Sequence, residues 1–166
     1  MRIILTLIVL AIFIIFLLSM LRGWRQRQRR QEKVLAPFPV PPAAIGEPEL
    51  LPELTGMYFG TTFAGNWQDR IAVGDIGHRA EATLHATSQG VLVDRVGSSP
   101  LWIPAALIKD SRVSPGLANK VIPGKGLLVI TWQHGDQLLD TGFRGDDGDV
   151  YEQWVTTTRN LKGLKK

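Results

Sequence analysis

The 166-residue sequence contains no cysteine and only three histidines. The absence of cysteine excludes a disulfide framework, a thiolate metal site and a cysteine nucleophile. The histidines, His78, His85 and His134, form no i, i+4 pair of the kind that zinc hydrolases place on a helix. We therefore expect each histidine to be solvated or to stabilise a turn, and we predict no metal site.

The common catalytic motifs are absent as well. The sequence has no complete phosphate-binding glycine loop and no G-x-S-x-G nucleophile turn. Asp146, Asp147 and Asp149 lack the spacing and the closing glutamate of a calcium loop, and they suit the start of a helix instead. The sequence therefore predicts a protein that is not an enzyme, with no catalytic residue and no cofactor.

Basic residues are scarce beyond the N-terminal region. Residues 1–33 carry seven Lys or Arg against one acid, whereas residues 34–166 carry twelve against fourteen. A slightly acidic domain does not have the basic surface that nucleic acids require. We predict no nucleic-acid partner.

An uninterrupted apolar run occupies residues 3–21. As a helix rising about 1.5 Å per residue, it spans nearly the roughly 30 Å hydrocarbon core of a bilayer. A cleaved signal peptide has a shorter apolar core and a small-residue cleavage site, whereas arginines follow this run. We predict a retained transmembrane anchor over residues 1–21.

A basic juxtamembrane segment, RGWRQRQRRQEK, follows over residues 22–33. Lys and Arg near a span hold their side in the cytoplasm, and an aromatic residue beside the span suits the interface. We therefore predict a single-pass cell-membrane protein with its N-terminus outside and its domain in the cytoplasm. The predicted membrane-surface residues are Arg22, Trp24, Arg25, Arg27, Arg29, Arg30 and Lys33.

A proline-rich segment over residues 34–54 holds six of the ten prolines. Proline removes backbone donors and blocks helix formation, which favours an extended, semi-stiff spacer outside the core. The run PFPVPP is also typical of ligands for aromatic-lined grooves, and this alternative stays open.

Residues 55–162 are predicted to form a mainly β domain of about seven strands. Alternating apolar residues and regular turns indicate the strands, and the absence of helical crossovers makes the sheet antiparallel. Apolar residues at helical spacing from Val150 to Leu161, with Lys162 near the end, predict a C-terminal α-helix that caps a small barrel. The predicted strands cover residues 56–64, 79–87, 91–96, 101–104 with a continuation from 107, 127–132 and 137–143.

Three segments carry a resemblance to a known family: YFGTTFAGNWQDRIAVGDIGHRAEATL, LWIPAALI and LLVITWQHGDQLLDTGFR. They resemble actinobacterial single-pass membrane proteins with a bacterial PH-like domain, which are often loosely labelled transporter or export proteins. The resemblance implies a PH-like barrel on one anchor and brings no established activity. A transporter role suits the sequence poorly, because one apolar span does not form a pathway.

Two loops offer candidate binding residues. The loop between the first two predicted strands is where lipid-binding PH domains present basic residues, but its own charge is mixed. A second, more basic group surrounds SPGLANKVIPGKG. The candidates are Trp67, Asp69, Arg70, His78 and Arg79 in the first group, and Lys109, Arg112, Lys120 and Lys125 in the second.

The leading hypothesis is a non-enzymatic, membrane-anchored PH-like module that binds a membrane-associated protein or scaffolds a complex at the cytoplasmic face. The alternative is a module that binds anionic lipid head groups. A third possibility is an accessory subunit of a transport or export system, which requires oligomers or a polytopic partner.

Overall fold

The computed structural model describes residues 2–43, 49–118 and 120–161, apart from the side chains of Arg2 and Arg27. The predicted features that fall on Met1, residues 44–48 and Lys162 therefore lie outside the described residues. The elements, in chain order, are α1 (Arg2–Glu32), β1 (Leu54–Phe63), β2 (Asn66–Arg70), β3 (Ala80–Thr87), β4 (Gly90–Arg95), β5 (Leu101–Pro104), a short 3-10 helix (Ala105–Leu107), β6 (Ile108–Ser114), β7 (Gly116–Leu117), β8 (Lys120–Val121), β9 (Leu127–His134), β10 (Gln137–Gly145) and α2 (Tyr151–Leu161).

The main sheet is antiparallel and runs in the order β5-β4-β3-β1-β10-β9-β6, with β2 paired to β1. This confirms the predicted mainly β fold and the antiparallel sheet. The described residues form ten strands where about seven were predicted, because β2, β7 and β8 lie off this path. The expected closed barrel is wrong, because β5 and β6 are the two edges of an open sheet. Pro104 has no backbone N–H to donate, and the 3-10 helix after it separates the two edges.

The hairpin of β9 and β10 matches its prediction. Its register runs from Gln137 opposite His134 to Phe143 opposite Leu128. Alternate residues point into the core, where Trp132 and Leu139 are fully buried. The predicted alternation in β3 also holds, since Ala82, Leu84 and Ala86 are buried.

Helix α2 packs its apolar face against the edge strand β6. Its buried residues recur at helical spacing and are Tyr151, Trp154, Val155, Thr158 and Leu161. An ion pair of 2.8 Å between Arg159 Nε and Asp110 Oδ1 joins the helix to the strand on the exposed side. The helix thus covers an edge that would otherwise be open to pairing with another chain.

A chain of hydrogen bonds crosses the buried core. Trp132 Nε1 donates to Thr141 Oγ1 at 3.0 Å, and further bonds of 2.9 Å join Thr141 to Thr61 and Thr61 to the Tyr58 hydroxyl. The Tyr58 hydroxyl donates to the Ile76 carbonyl, also at 2.9 Å. These partners satisfy polar groups that are costly to bury alone. Burial raises the pKa of Tyr58 to about 12.

The proline-rich segment contributes two leucines to the core, so these two residues do not lie outside the core as the spacer interpretation had predicted. Leu35 and Leu51 are buried and belong to the main apolar cluster. Their burial withdraws apolar area from water, which an extended tether would leave exposed.

His134 lies at the end of β9 and binds the same proline-rich segment. Its ring stacks on Phe38 with 4.5 Å between the ring centroids, and its Nε2 lies 2.7 Å from the Ala36 carbonyl oxygen. Trp132 contacts Phe38 from a second side. His134 is 4% exposed, so the expectation of a solvated histidine is wrong here, because the segment covers the ring.

Helix α1 does not stop at the end of the apolar run but continues through the basic segment to Glu32. Near its end, Gln28 Nε2 donates to the Ala72 carbonyl at 2.9 Å. Gln31 Nε2 donates to the Arg70 carbonyl at 3.1 Å, and its Oε1 accepts from the Ala72 N–H at 2.7 Å. We call these three hydrogen bonds the glutamine clamp. They join the helix directly to the domain.

Candidate functional site

The outer face of the sheet carries a groove of about 340 Å³ between β2 and the β7–β8 hairpin. Neither β2 nor the β7–β8 hairpin belongs to the seven-strand path of the main sheet, so the groove lies between two elements that project from it. Its walls are mainly apolar, and its floor holds one ion pair. The lining residues are Gly65, Trp67, Arg112, Ser114, Pro115, Gly116, Leu117, Val121 and Asp140.

Trp67 forms one wall of the groove. It lies in β2, a strand paired to β1 that the sequence had suggested as a loop. The turn before it depends on Gly65, whose φ of +80° is a conformation that side-chain-bearing residues rarely adopt. Trp67 is 42% exposed, so part of its side chain faces solvent.

The opposite wall is the β7–β8 hairpin, which a second apolar cluster holds against the sheet. Leu117 lies directly over Gly142, where a Cβ atom would meet Leu117 Cδ2 at 2.5 Å. Val121 points outward and is 72% exposed. This wall is therefore fixed at its base and apolar at its rim. The second cluster consists of Phe59, Leu117, Ala118, Ile122, Leu127 and Val129.

The floor of the groove holds Arg112 and Asp140. Arg112 Nη2 lies 2.6 Å from Asp140 Oδ2, and Arg112 Nη1 donates to Thr131 Oγ1 at 2.7 Å. Thr131 in turn donates to Asp140 Oδ1 at 2.5 Å. The Asp140 side chain is 4% exposed, whereas that of Arg112 is 39% exposed. The charge of the buried Asp140 is thus compensated by Arg112, and the partly exposed guanidinium of Arg112 lines the groove.

The two arginines predicted in the first loop both turn toward Phe59. Arg70 donates from Nη2 to the Phe59 carbonyl, and the Arg79 guanidinium lies 3.8 Å above the Phe59 ring centroid. Burial lowers the pKa of Arg70; the nearby Tyr58 opposes this effect, and the positive charge of Arg79 adds to it. Both side chains therefore have partners within the domain.

The other candidates from this loop are dispersed. Asp69 is half-buried in β2, and His78 is exposed in the turn before β3. Asp75, an acid of the same loop that was not a candidate, accepts hydrogen bonds from Arg95 Nη2 at 2.8 Å and from the Ser99 N–H at 2.6 Å. Burial alone raises the pKa of Asp75, but these hydrogen bonds outweigh it and hold the pKa below its ordinary value.

The second predicted group does not form a single basic patch. Lys109 is exposed on β6, and Lys125 forms an ion pair with Asp149. Lys120 is exposed on β8, next to the apolar rim of the groove. Of the nine candidate residues, Trp67 and Arg112 both line the groove.

The comparison with protein families matches this arrangement. The family model described as bacterial PH domain-like matches residues 35–159, from the proline-rich segment to the end of α2. The chain belongs to this family. A search of the curated proteins gives no match.

The matched region agrees with the fold of a PH-like domain, in which a C-terminal helix packs on an antiparallel sheet. PH-like domains are generally non-catalytic and commonly bind proteins or lipids. Across the described residues, no three His, Asp or Glu side chains come together in a way that would hold a metal ion.

The predicted membrane-surface residues precede the PH-like domain. Arg22, Trp24, Arg25, Arg29 and Arg30 lie exposed on α1, while the side chain of Arg27 is not described. Lys33 is exposed just after the helix ends. The apolar part of α1 is long and apolar enough to cross a membrane, and none of it is buried against the domain.

The glutamine clamp and the groove floor were not foreseen from the sequence. Gln28, Gln31 and Leu35 stand at i, i+3 and i+7, which is one face of a helix. That spacing is a usable signal for a docked helix end. The Arg112–Asp140 pair joins two strands that are not sequence neighbours, and it needs the strand register before it becomes visible.

Proposed function

We propose that this chain is a non-enzymatic, membrane-anchored PH-like module that binds a protein partner at the cytoplasmic face. The observation that carries the proposal is the groove, with exposed Trp67 on one side and exposed Val121 on the other. Aromatic side chains of this kind are enriched at protein interfaces, because they offer a large contact area with few rotatable bonds.

The charges of the first loop support a protein rather than a phosphate ligand. A phosphate site needs guanidinium groups that are directed at the ligand. Arg70 and Arg79 are instead engaged with the carbonyl and the ring of Phe59. In the groove, Arg112 is paired with Asp140.

The membrane anchor and its orientation complete the proposal. The apolar part of α1 serves as the span, and the basic residues that follow it keep the PH-like domain in the cytoplasm. A reporter fused after Lys166 that functions only in the cytoplasm is expected to be active. Activity of a reporter that functions only outside the membrane would contradict this orientation.

Groove variants of the full chain test the protein-binding role. Proteins near the chain are first joined to it by a chemical cross-linker in the membranes of the cells that make it, and the proteins retained after solubilisation in detergent are quantified. Val121→Asp should lower the recovery of a stoichiometric partner at least tenfold, because a charge then occupies the apolar rim. Val96→Asp is the matched control, since Val96 is 71% exposed, Val121 is 72% exposed, and Val96 lies away from the groove. Equal recovery with both variants would refute the role of the groove.

Binding of anionic lipid head groups is the second candidate function. It is favoured by one observation, namely that the guanidinium groups of Arg70 and Arg79 both lie at Phe59. Two neighbouring guanidiniums attract anions, and the cytoplasmic leaflet is anionic.

Lipid composition separates the two functions. The full chain is placed in nanodiscs of phosphatidylcholine, with or without phosphatidylserine, and amide hydrogen exchange is measured over residues 66–79. Protein binding through the groove predicts the same exchange in both. Slower exchange with phosphatidylserine, lost in Arg79→Gln, would favour the lipid function.

A further inference from the structure

The connection between the apolar part of α1 and the PH-like domain has fixed geometry. Helix α1 is continuous to Glu32, and the glutamine clamp binds its last turns to residues 70–72. Gln31 is 7% exposed, so water has little access to these hydrogen bonds. Beyond the helix, buried Leu35 and the stacking of Phe38 on His134 hold the chain a second time. The domain is therefore attached rigidly to α1 and is not joined to it by a flexible linker.

This rigid attachment places the groove close to the bilayer. From Leu21, the last residue of the apolar run, to Gln31 is ten helical residues, or about 15 Å. Gln31 binds the Arg70 carbonyl, and Trp67 lies three strand residues before Arg70, or about 10 Å away. Trp67 thus stays within roughly 30 Å of the hydrocarbon edge, even after adding the length of the glutamine side chain.

The charge near the groove selects the sign of its occupant. At the groove, Lys120 is exposed, whereas the opposite charges of Arg112 and Asp140 offset each other. Helix α1, whose end binds residues 70–72, carries exposed arginines, of which Arg29 and Arg30 are nearest to the clamp. An occupant with net negative charge complements this field.

The size of the groove indicates how the occupant is held. A cavity of about 340 Å³ accepts little more than one large apolar side chain and its neighbours. Burying one such side chain strengthens binding by roughly 10- to 150-fold, which is not enough for a dilute soluble partner. A partner confined near the groove gains an effective concentration in the millimolar range, which compensates for the small contact.

We propose that the groove binds the acidic juxtamembrane segment of another protein anchored in the same membrane, with one apolar side chain seated between Trp67 and Val121. This inference rests on the proposed function. It adds the location and the charge of the partner segment.

Site-specific photo-crosslinking of the full chain in its native membranes tests the proposal. A benzophenone amino acid replaces Val121 in one variant and the equally exposed Val96 in the control. Adducts are digested, and the crosslinked residue of the partner is located by mass spectrometry. We expect at least tenfold more adduct from position 121, mapped to an acidic segment within about 20 residues of a bilayer-length apolar run.

Each other result has a definite meaning. Adducts with a protein that lacks such a run would overturn this inference and leave the proposed function standing. Adducts with a second copy of the chain would overturn it too, because the juxtamembrane segment of this chain is basic. No excess over position 96 would overturn both the inference and the proposed function.

The glutamine clamp gives an independent arm of the same experiment. Gln31→Leu removes two hydrogen bonds of the clamp, and Gln26→Leu makes the same change at an exposed position of α1. With benzophenone at position 121, Gln31→Leu should lower the adduct yield in membranes at least threefold, and Gln26→Leu should not change it. Both glutamine variants should give the same circular dichroism spectrum, which checks that Gln31→Leu still folds. Equal adduct yields in membranes would show that binding does not require rigid attachment of the domain to α1, and would overturn that part of the inference.

Discussion

Arg112→Leu should destabilise the domain far more than Asp140→Asn does. Removing Arg112 leaves a buried carboxylate that keeps its hydrogen bond from Thr131 but has lost its countercharge. In Asp140→Asn, by contrast, the side-chain amide oxygen can still accept a hydrogen bond from Arg112 or Thr131. Breaking a buried ion pair from one side costs about 3 to 5 kcal/mol. Exchanging a charged for a neutral hydrogen-bond acceptor costs about 1 kcal/mol.

The loss of about 3 to 5 kcal/mol expected in Arg112→Leu is large compared with the total stability of a domain, which is about 5 to 15 kcal/mol. For a urea dependence of about 1.5 kcal/mol per molar, the expected loss in Arg112→Leu moves the unfolding midpoint by about 2 to 3 M. Arg112 is 39% exposed, so the penalty arises from the stranded acid and not from the solvated guanidinium.

Urea unfolding of the full chain in detergent, followed by tryptophan fluorescence, measures the difference. Arg144→Leu is the control, because Arg144 is exposed on β10 and should change the free energy of unfolding by less than about 0.5 kcal/mol. A loss below about 1 kcal/mol in Arg112→Leu, or a larger loss in Asp140→Asn, would refute the reasoning.

Two further predictions concern the core and its pH dependence. Thr141→Val should lower the free energy of unfolding by about 1 to 3 kcal/mol, since Trp132 Nε1 then loses its acceptor in the core; urea unfolding measures this loss, and a neutral effect would contradict a stabilising role for this hydrogen bond. The pKa of Asp75 is lower in the folded state, so Asp75 stabilises the fold above its unfolded pKa of about 3.9, and this contribution is lost as the pH falls through the folded pKa. Asp75→Asn should therefore flatten the fall in the free energy of unfolding below about pH 5, and an unchanged slope would show that the bonds from Arg95 and Ser99 do not stabilise the carboxylate.

The local elements of this fold were predictable because their signals are local. The alternation from Leu127 to Phe143 with a turn between, and the helical spacing from Tyr151 to Leu161, each specify an element and the face that it buries. The same reasoning named Trp67 as a candidate binding residue, although it placed Trp67 in a loop and not in a strand.

The long-range contacts were not predictable in this way. Gln31 binds residues about forty positions away, and Ala36 binds His134, which is 98 positions away. Proline composition correctly excluded helix from the described residues after α1, 33–43 and 49–53, but composition does not reveal which surface a non-helical segment packs against. The packing of Leu35 and Phe38 depends on where the β9 strand ends, and that is a property of the assembled sheet.

Because the glutamine clamp fixes the domain to the end of α1, the number of residues in α1 determines how the domain is oriented about the helix axis. Each residue added to a helix rotates the downstream domain by about 100° and moves it by about 1.5 Å. One extra residue between Leu21 and Gln28 would shift the domain little along the helix axis and yet rotate the groove by more than a quarter turn about that axis. Insertions of three or four residues would bring the groove back to within about 60° or 40° of its original direction. The number of residues in the basic segment thus determines the direction of the groove about the helix axis, independently of their charge.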